Sequence, residues 1–485
     1  MKIKILMVLL ILSISLPSCK KWLDIEPKGK ILLTSATDYG LLFDNITAYE
    51  IADIAYLDDD LWRNASNIAS VWNSWNLVAA NVLYLPSTDY DRSFNASGNS
   101  SNASFYHSSY QKITKIANTI IYQKDEMTGT ETEVNAVVAE AKMLRAFCYF
   151  LMINMYAKPY DNASAESDGG VPLKLDPFIE TVPEPAKSSV ADVYRQIEKD
   201  INEALPDLNI TAKSPYRFNR AAAYALKAKV HLFKKEFDQC IAAALESNRL
   251  NNKLYSLISL VSTATNKPSV PLLATGDENL FFATSSTLNG FIGQELIDLF
   301  KAGLKGNGQA SNVTDARFDL YKRPASTIND YMFMVSWVPA AKEYSPNVLG
   351  FTSPEVMLML AECYARKGQN EKVKEILKPY LESRYRNYVH ASFTLPSDIT
   401  GTVKFVIDER RKELAKGINR FFDLRRLNTE TAFQKVPSRR FPADPVATPT
   451  IPQRLYTLPL KSPLYILPFP SKVIENDPRL SSNYW

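Results

Sequence analysis

The chain has 485 residues, and its hydrophobic content of 46% is enough for a substantial core and excludes wholesale disorder. Its formal net charge is only +4 and no block of lysine and arginine stands out, so the composition gives no support for binding to nucleic acid. Beyond Cys19, the cysteines are Cys148, Cys240 and Cys363. Three widely spaced thiols do not form a disulfide framework, and we predict that they are buried and free.

The first nineteen residues have the pattern of an export signal. Lys2 and Lys4 precede an apolar run over residues 5–16, which is too short to span a bilayer as a helix. A cysteine follows at position 19, as is typical of a bacterial lipoprotein whose thiol and amine carry acyl chains such as palmitate. We predict a signal peptide over residues 1–18, lipidation of Cys19 and a tether over residues 19–30 that holds the body at a membrane. The alternative is an ordinary cleaved signal followed by a chance cysteine.

The body after the tether is predicted to be mostly helical. Apolar residues recur with a period of 3.6 residues over residues 106–124 and 133–156. Ser188 and Ser189 are candidate N-caps for a helix over residues 190–205, and Asp192 lies in its first turn, where the helix dipole favours a negative charge.

Two later segments share the spacing of a helix-pair repeat. Residues 360–364 have the order bulky, small, any, any, tyrosine, and Gly368 then marks a tight turn before a second apolar pattern. Residues 221–250 show a looser copy, in which His231 takes the place of the tyrosine. We therefore predict tetratricopeptide-like helix pairs stacked on one another, and a packed rather than a catalytic histidine.

Long stretches without helical periodicity separate these elements, and among them are residues 58–104 and 303–348. Compact domains rarely carry so much loop without a use, so these stretches are the expected place for a binding surface. The predicted fold class is thus mostly α, with tetratricopeptide-like helix pairs, long irregular loops and minor β-hairpins.

Two of the irregular stretches combine aromatic rings with side chains that hydrogen-bond hydroxyl groups. Sugar rings stack on tryptophan and tyrosine, while amides and charged groups bind their hydroxyls. We predict that Trp75 and Trp337 lead the stacking on a ligand. The predicted ligand-binding residues are Trp72, Asn73, Trp75, Tyr331 and Trp337. The alternative for Trp72 and Trp75, three positions apart, is the buried face of a short helix.

The sequence offers little that supports catalysis. No nucleophile elbow, phosphate-binding loop or dinucleotide motif is present, and the three histidines have no metal-ligand spacing with one another or with cysteine. We predict no enzyme activity, no metal and no cofactor. The acids at positions 58–60 are interpreted as a solvated turn or a helix start. The arginines and glutamates of residues 408–426 are interpreted as ion pairs that join one helix to the repeat scaffold, with an anion site as the alternative.

Several blocks of sequence, in a fixed order along the chain, carry a family resemblance. They are residues 18–27 (SCKKWLDIEP), 110–118 (YQKITKIAN), 140–150 (EAKMLRAFCYF), 169–173 (GGVPL), 278–282 (ENLFF), 315–318 (DARF), 409–414 (ERRKEL) with 420–426 (RFFDLRR), 467–470 (LPFP) and 476–483 (NDPRLSSN). In these blocks the chain resembles the SusD/RagB family of Bacteroidetes outer-membrane nutrient-binding lipoproteins. It departs from the family pattern at residues 416–419, which puts the local packing there in question.

The resemblance implies four tetratricopeptide-like helix pairs with the irregular segments on one side. It implies a protein on the outer face of the outer membrane that captures oligosaccharides and delivers them, without catalysis, to a SusC-type TonB-dependent transporter. Two alternatives stay open, a RagB-like member that binds peptides and a structural lid without its own ligand site. We expect an N-terminal region over residues 31–215 and a C-terminal region over residues 216–485, packed as one body.

Overall fold

A computed structural model of the chain describes residues 33–44, 46, 49, 59–63, 101–178, 187–262, 267–268, 275–284, 290–321, 333–334, 347–415, 417–441, 454–481 and 483. Within these residues, no helix combines the length and the apolar character that a membrane span requires.

Helices make up most of the described chain, as predicted. In chain order the α-helices are α1 (Ala36–Gly40), α2 (Ser101–Gln111), α3 (Thr119–Tyr122), α4 (Glu131–Tyr156), α5 (Val190–Ala204), α6 (Arg220–Phe233), α7 (Phe237–Leu250), α8 (Leu257–Leu260), α9 (Gln294–Ala302), α10 (Ala316–Tyr321), α11 (Ser353–Arg366), α12 (Asn370–Arg384), α13 (Ile399–Glu413), α14 (Asn419–Leu427) and α15 (Ser471–Asn476). A π-helical segment, Lys112–Asn118, joins α2 to α3.

The strands are short and pair in antiparallel fashion. They are β1 (Leu61–Arg63), β2 (Val261–Ser262), β3 (Lys267–Pro268), β4 (Asn279–Phe281), β5 (Gly290–Ile292), β6 (Thr314–Asp315), β7 (Phe333–Met334), β8 (Phe351–Thr352), β9 (Tyr385–Arg386), β10 (Ser438–Phe441) and β11 (Arg454–Thr457). Strands β2 and β3 pair with each other, as do β10 and β11, whereas β4 pairs with β8 and β6 with β9. The hairpins predicted from the sequence are thus accompanied by sheets that join distant segments.

Both predicted helix pairs are present. Helices α6 and α7 pack against each other, α11 packs against α12, and α7 also packs against α11, so the two pairs stack. The turns between the helices adopt left-handed backbone conformations, with φ of 62° at Lys235 and 68° at Gly368. Ala228 and Ala361 are fully buried, as the small residues of a close helix contact should be.

Helix α5 begins at the predicted N-cap. The Ser189 hydroxyl accepts a hydrogen bond from the Asp192 amide at 3.0 Å, and the Asp192 carboxylate accepts one from the Ser189 amide at 3.3 Å. Thr130 and Glu133 form the same reciprocal capping box at the start of α4. These bonds satisfy backbone donors that the first turn of a helix otherwise leaves free.

One main core joins the two regions that the sequence suggested. Phe147 of α4 contacts Phe218, Phe281 and Phe351, with ring centroids 5.8, 5.3 and 5.7 Å away. The last three rings lie beyond residue 215, so the N-terminal helix α4 and the C-terminal elements share apolar contacts. The boundary at residue 215 stays a prediction.

The charged C-terminal segment differs from the single helix that the sequence suggested. Helix α13 ends at Glu413 and α14 begins at Asn419. Between them Gly417 has a φ of +85°, and a Cβ atom there would lie 2.0 Å from the carbonyl oxygen of Val348. Only glycine fits such a close approach in this conformation, and the chain breaks here where it departs from the family pattern.

Candidate ligand-binding site

The residues that we predict to bind ligand all lie outside the described residues, and so does Cys19. Trp72, Asn73 and Trp75 belong to residues 64–100, and Tyr331 and Trp337 lie on either side of strand β7. Their roles therefore stay predictions. The structure describes the strands to which these segments connect.

A three-stranded sheet links the two predicted binding segments. Strand β5 lies in its centre, with β1 on one side and β7 on the other. In one row across the sheet, Trp62 of β1 pairs with Phe291 of β5, which pairs with Met334 of β7. Trp72 follows the end of β1 by nine residues and Trp337 follows the end of β7 by three. Segments some 260 residues apart in sequence are thus joined through one small sheet.

The direction of the strands determines which strand ends lie together. Both pairings to β5 are antiparallel, so β1 and β7 run parallel to each other. Their last residues, Arg63 and Met334, consequently lie at the same end of the sheet, and strands this short span less than about 10 Å. Each predicted ligand residue is within twelve positions in sequence of β1 or β7.

Two aspartates hold the start of β1 to the C-terminal helices. The Asp60 carboxylate accepts two hydrogen bonds from Arg411 at 2.6 Å each, and the Asp59 carboxylate accepts two from Arg420 at 2.7 and 2.9 Å. Lys435 lies 2.5 Å from Asp59. We call these five residues the aspartate clamp. Asp59 is 7% exposed and Asp60 fully buried, so the interpretation of these two acids as a solvated turn or helix start was wrong.

The clamp keeps its charges because opposite charges face each other in a buried place. Burial alone raises the pKa of Asp59, but the positive charges of Arg420 and Arg411 outweigh it and hold that pKa well below its usual range. The pKa of Arg411 is raised, since Asp60 and Asp59 outweigh the opposite effect of burial. The backbone carbonyl of Asp60 also accepts a hydrogen bond of 2.7 Å from the Gly293 amide, which extends the link between β1 and β5.

Two acids near the end of α13 pair with basic side chains of α10, α12 and α13 itself. Glu409 lies 2.8 Å from Arg317 and 2.5 Å from Lys412, and Glu413 lies 2.8 Å from Arg384. Glu409 is fully buried.

The charges of α14 reach the repeat scaffold. Arg426 contacts Glu362 of α11 at 2.7 Å, and Asp423 contacts Arg410 of α13 at 2.9 Å. The prediction that ion pairs join the charged segment to the helix pairs is confirmed, and these arginines are committed to protein carboxylates rather than to an anionic ligand.

A cavity of about 370 Å³, lined by both charged and apolar side chains, lies beside the aspartate clamp. Its lining includes Glu295, Lys404 and Asp408 together with Arg411 and Lys435. Glu295 accepts hydrogen bonds from Arg411 at 2.9 Å and from Lys435 at 2.6 Å. Donors and acceptors are both present, which suits hydroxyl groups better than a ligand of one charge sign.

One described histidine and all three described cysteines are packed inside the protein. His231 is 8% exposed and its Nδ1 lies 2.6 Å from a Glu236 carboxylate oxygen, so the prediction of a packed histidine is confirmed. Cys148, Cys240 and Cys363 are buried and free, as expected. Glu198 also lies close to His231, and these two residues and Glu236 form a group of potential metal ligands within the described ranges. The spacing of residues along the sequence does not reveal this group, because Glu198 lies on α5 and His231 on α6.

Two protein-family models match the chain. Residues 21–232 match a model described as starch-binding and associating with the outer membrane, and residues 353–485 match the SusD family. Together these matches cover more than half of the chain. None of the curated proteins with which the sequence was compared matches it.

Solved structures share the fold at low sequence identity. A SusD superfamily protein from Bacteroides thetaiotaomicron is 18% identical, with a TM-score of 0.67 over 93% of this chain and 100% of that one. A SusD-like carbohydrate binding protein from Bacteroides vulgatus is 14% identical, with a TM-score of 0.65 over 93% and 98%. A laminarin binding SusD-like protein is 19% identical, with a TM-score of 0.50 over 81% and 89%. These matches confirm the predicted fold class.

Proposed function

The chain belongs to the SusD/RagB family, and we propose that it is a cell-surface lipoprotein that binds oligosaccharides and delivers them to a SusC-type TonB-dependent transporter. The observation that carries this proposal is the match of family models to both ends of the body. The first of these models is described as starch-binding and associating with the outer membrane. The carbohydrate-binding and laminarin-binding proteins that share the fold support the same class of ligand.

The sheet gives this proposal a physical basis. Stacking of several sugar rings costs less free energy when the aromatic side chains lie on a backbone that does not shift as the ligand binds. Strands β1 and β7 flank β5, and the aspartate clamp fixes β1 to α13 and α14. Trp75 and Trp337 would stack on the sugar, with Trp72, Asn73 and Tyr331 beside them.

The anchor and the transporter are further parts of the proposal. Lipidation of Cys19 would hold the protein on the outer face of the outer membrane, and two or more acyl chains give lasting attachment. Release of acyl chains from the amino terminus of the native protein in mass spectrometry would support the anchor. A bare amino terminus would contradict it.

A screen of the purified chain lacking residues 1–19 on an array of oligosaccharides tests the ligand class. The array should include oligosaccharides from starch and from laminarin, and we expect saturable binding to at least one glycan. Binding to an extended peptide with no binding to any glycan would favour the peptide-binding alternative. Product formation from a bound glycan would contradict the absence of catalysis.

Uptake measurements separate a binding protein from a structural lid. In cells that carry the partner transporter, deletion of this chain should abolish uptake of the glycan found in the screen. Replacement of Trp75 and Trp337 by alanine should also lower uptake if the protein captures the glycan itself. Full uptake with this double variant, together with lost uptake on deletion, would favour the structural lid.

A further inference from the structure

Three side chains of the kinds that bind zinc meet between helix α5 and the turn that joins α6 to α7. They are Glu198 of α5, His231 of α6 and Glu236, which immediately precedes α7. The Nδ1 atom of His231 lies 2.6 Å from Glu236 Oε2 and 3.7 Å from Glu198 Oε1. One potential ligand atom from each residue lies within 4.8 Å of the others.

The turn between the helices brings Glu236 to the histidine. Lys235 adopts a left-handed conformation with φ of 62°, which reverses the chain after α6. The Glu236 amide then donates a hydrogen bond of 2.9 Å to the carbonyl of His231. This backbone bond fixes the two residues side by side, so the histidine and one carboxylate are positioned before any ion binds.

The distances fit a zinc ion after small side-chain movements. Zinc binds imidazole nitrogen and carboxylate oxygen at about 2.0–2.2 Å, so tetrahedral ligand atoms lie about 3.4 Å apart. The two measured separations from His231 Nδ1 lie on either side of this value. The mixture of one nitrogen and two oxygens suits zinc, whereas calcium prefers six to eight oxygens.

An ion can reach these ligands from solvent. The side chains of Glu198, His231 and Glu236 are 23%, 11% and 27% exposed. A cavity of about 520 Å³ lies beside them, and both Glu198 and His231 contribute to its lining. The site is thus protected enough to desolvate an ion partly and open enough to load it.

A protein cation already pairs with the two carboxylates. Lys234 Nζ lies 2.7 Å from Glu198 and 2.9 Å from Glu236. Hydrogen bonds and charges from these carboxylates outweigh burial and raise the pKa of Lys234. A divalent ion would have to displace this ammonium group. The two ion pairs of Lys234 therefore weaken the binding of the ion.

We propose that Glu198, His231 and Glu236 bind a Zn²⁺ ion in competition with the ammonium group of Lys234. The ion would join α5 to the pair of α6 and α7. This site is separate from the sheet, and the proposal does not rest on glycan binding. Because the ion binds only the folded chain, zinc should also raise the thermal unfolding temperature.

Isothermal titration of the full chain with ZnCl₂ tests the proposal. The chain should carry no affinity tag, should be kept in detergent, and should first be treated with a chelator that is then removed. We expect one saturable site and a higher unfolding temperature in zinc than in CaCl₂. His231→Ala should weaken binding at least about tenfold, since even changes behind the ligands of metal sites have effects of that size.

Matched variants show whether zinc binds at His231 or at another histidine. The chain has only three histidines, so His107→Ala and His390→Ala serve as controls that should leave zinc binding unchanged. Lys234→Met removes the competing charge and should tighten binding. If His231→Ala does not fold, as judged by circular dichroism, His231→Gln and Glu198→Gln replace it and should weaken binding in the same way. Absence of a saturable site, or binding that survives these substitutions, would overturn the proposal.

Discussion

The stacked helix pairs and the helices α13 and α14 share one apolar core, but α13 and α14 add a dense set of buried ion pairs to it. The pairs bury apolar side chains such as Leu226 of α6 and Leu360 of α11, which are fully buried. Helices α13 and α14 bury Glu409, Arg410 and Asp423 with their ion-pair partners. Apolar packing tolerates hydrophobic exchanges of similar volume, whereas a buried charge needs its partner in one place. The comparison indicates that the pairs supply bulk stability and that the charged helices fix positions, including that of β1.

The largest expected effect is the loss of one buried charge from α13. Glu409→Gln leaves Arg317 and Lys412 without their shared carboxylate, and we expect the free energy of unfolding to fall by about 3–5 kcal/mol. Urea denaturation measures this change. Glu246→Gln is a matched control, because its partner Arg249 is exposed and the ion pair lies at the surface. Equal stability of the two variants would show that the buried charge contributes no more to the free energy of unfolding than the surface charge does.

A slightly smaller effect is expected in the helix pair formed by α11 and α12. Leu360→Ala opens a cavity in the core and should lower the free energy of unfolding by about 2–5 kcal/mol. Leu360→Met keeps the volume and should cost less than about 1.5 kcal/mol. Arg410→Lys in α13 is an exchange of equal charge that loses the guanidinium geometry, and it should be worse tolerated than Leu360→Met. The reverse order in denaturation experiments would contradict the comparison.

The buried ion pairs made by α13 and α14 should also make stability depend on pH at the acidic end. The pKa values of Glu362 and Glu413 are lowered to about 2, because nearby arginines outweigh the opposite effect of burial. A folded-state pKa below the unfolded value of 4.5 means that these groups stabilise fully above about pH 4.5. That contribution is lost as the pH falls towards 2.

Acid titration followed by circular dichroism measures this loss. Glu362→Gln lacks one of these titrating groups, so its stability should change less than that of the unmodified chain over this pH range. Identical pH profiles for the two proteins would show that the ion pairs of α14 do not govern acid unfolding.

The smallest of these effects is expected at the N-terminus of helix α5. Ser189→Ala removes the N-cap of α5 and should cost about 1 kcal/mol. The neighbouring Ser188→Ala is the control, since it keeps the cap and should leave thermal unfolding unchanged. A similar loss from both variants would argue that the serine pair acts through something other than capping.

The difference between the regions also explains what the sequence could predict. Helical periodicity and the spacing around Gly368 identify α11 and α12, because the information lies within a few turns of the chain. The partners of the buried charges lie far apart, and Asp60 and Arg411 are separated by 351 positions. Nothing near Asp60 indicates burial, so the local pattern suggested a solvated turn. The only available signal was the density of arginine and glutamate over residues 408–426.

The sheet of β1, β5 and β7 shows the same limit. The rings and amides of residues 72–76 suggested stacking, but their connection to the segment around β7 depends on pairing through β5. Strands of two or three residues have too little pattern to be found from sequence. The aromatic pattern identifies two separate segments, and the sheet gives a physical link between the strands next to them.

The central claim is that segments next to the sheet bind a glycan while the buried charges only hold the sheet. Calorimetric titration of the Trp75→Ala/Trp337→Ala double variant with a glycan found in the array screen tests it directly. Tyr122→Ala is the matched control, since this ring is 57% exposed on helix α3 and is not predicted to touch ligand. We expect the double variant to lose measurable binding and Tyr122→Ala to bind as the unmodified chain does. Unchanged affinity of the double variant would contradict the account.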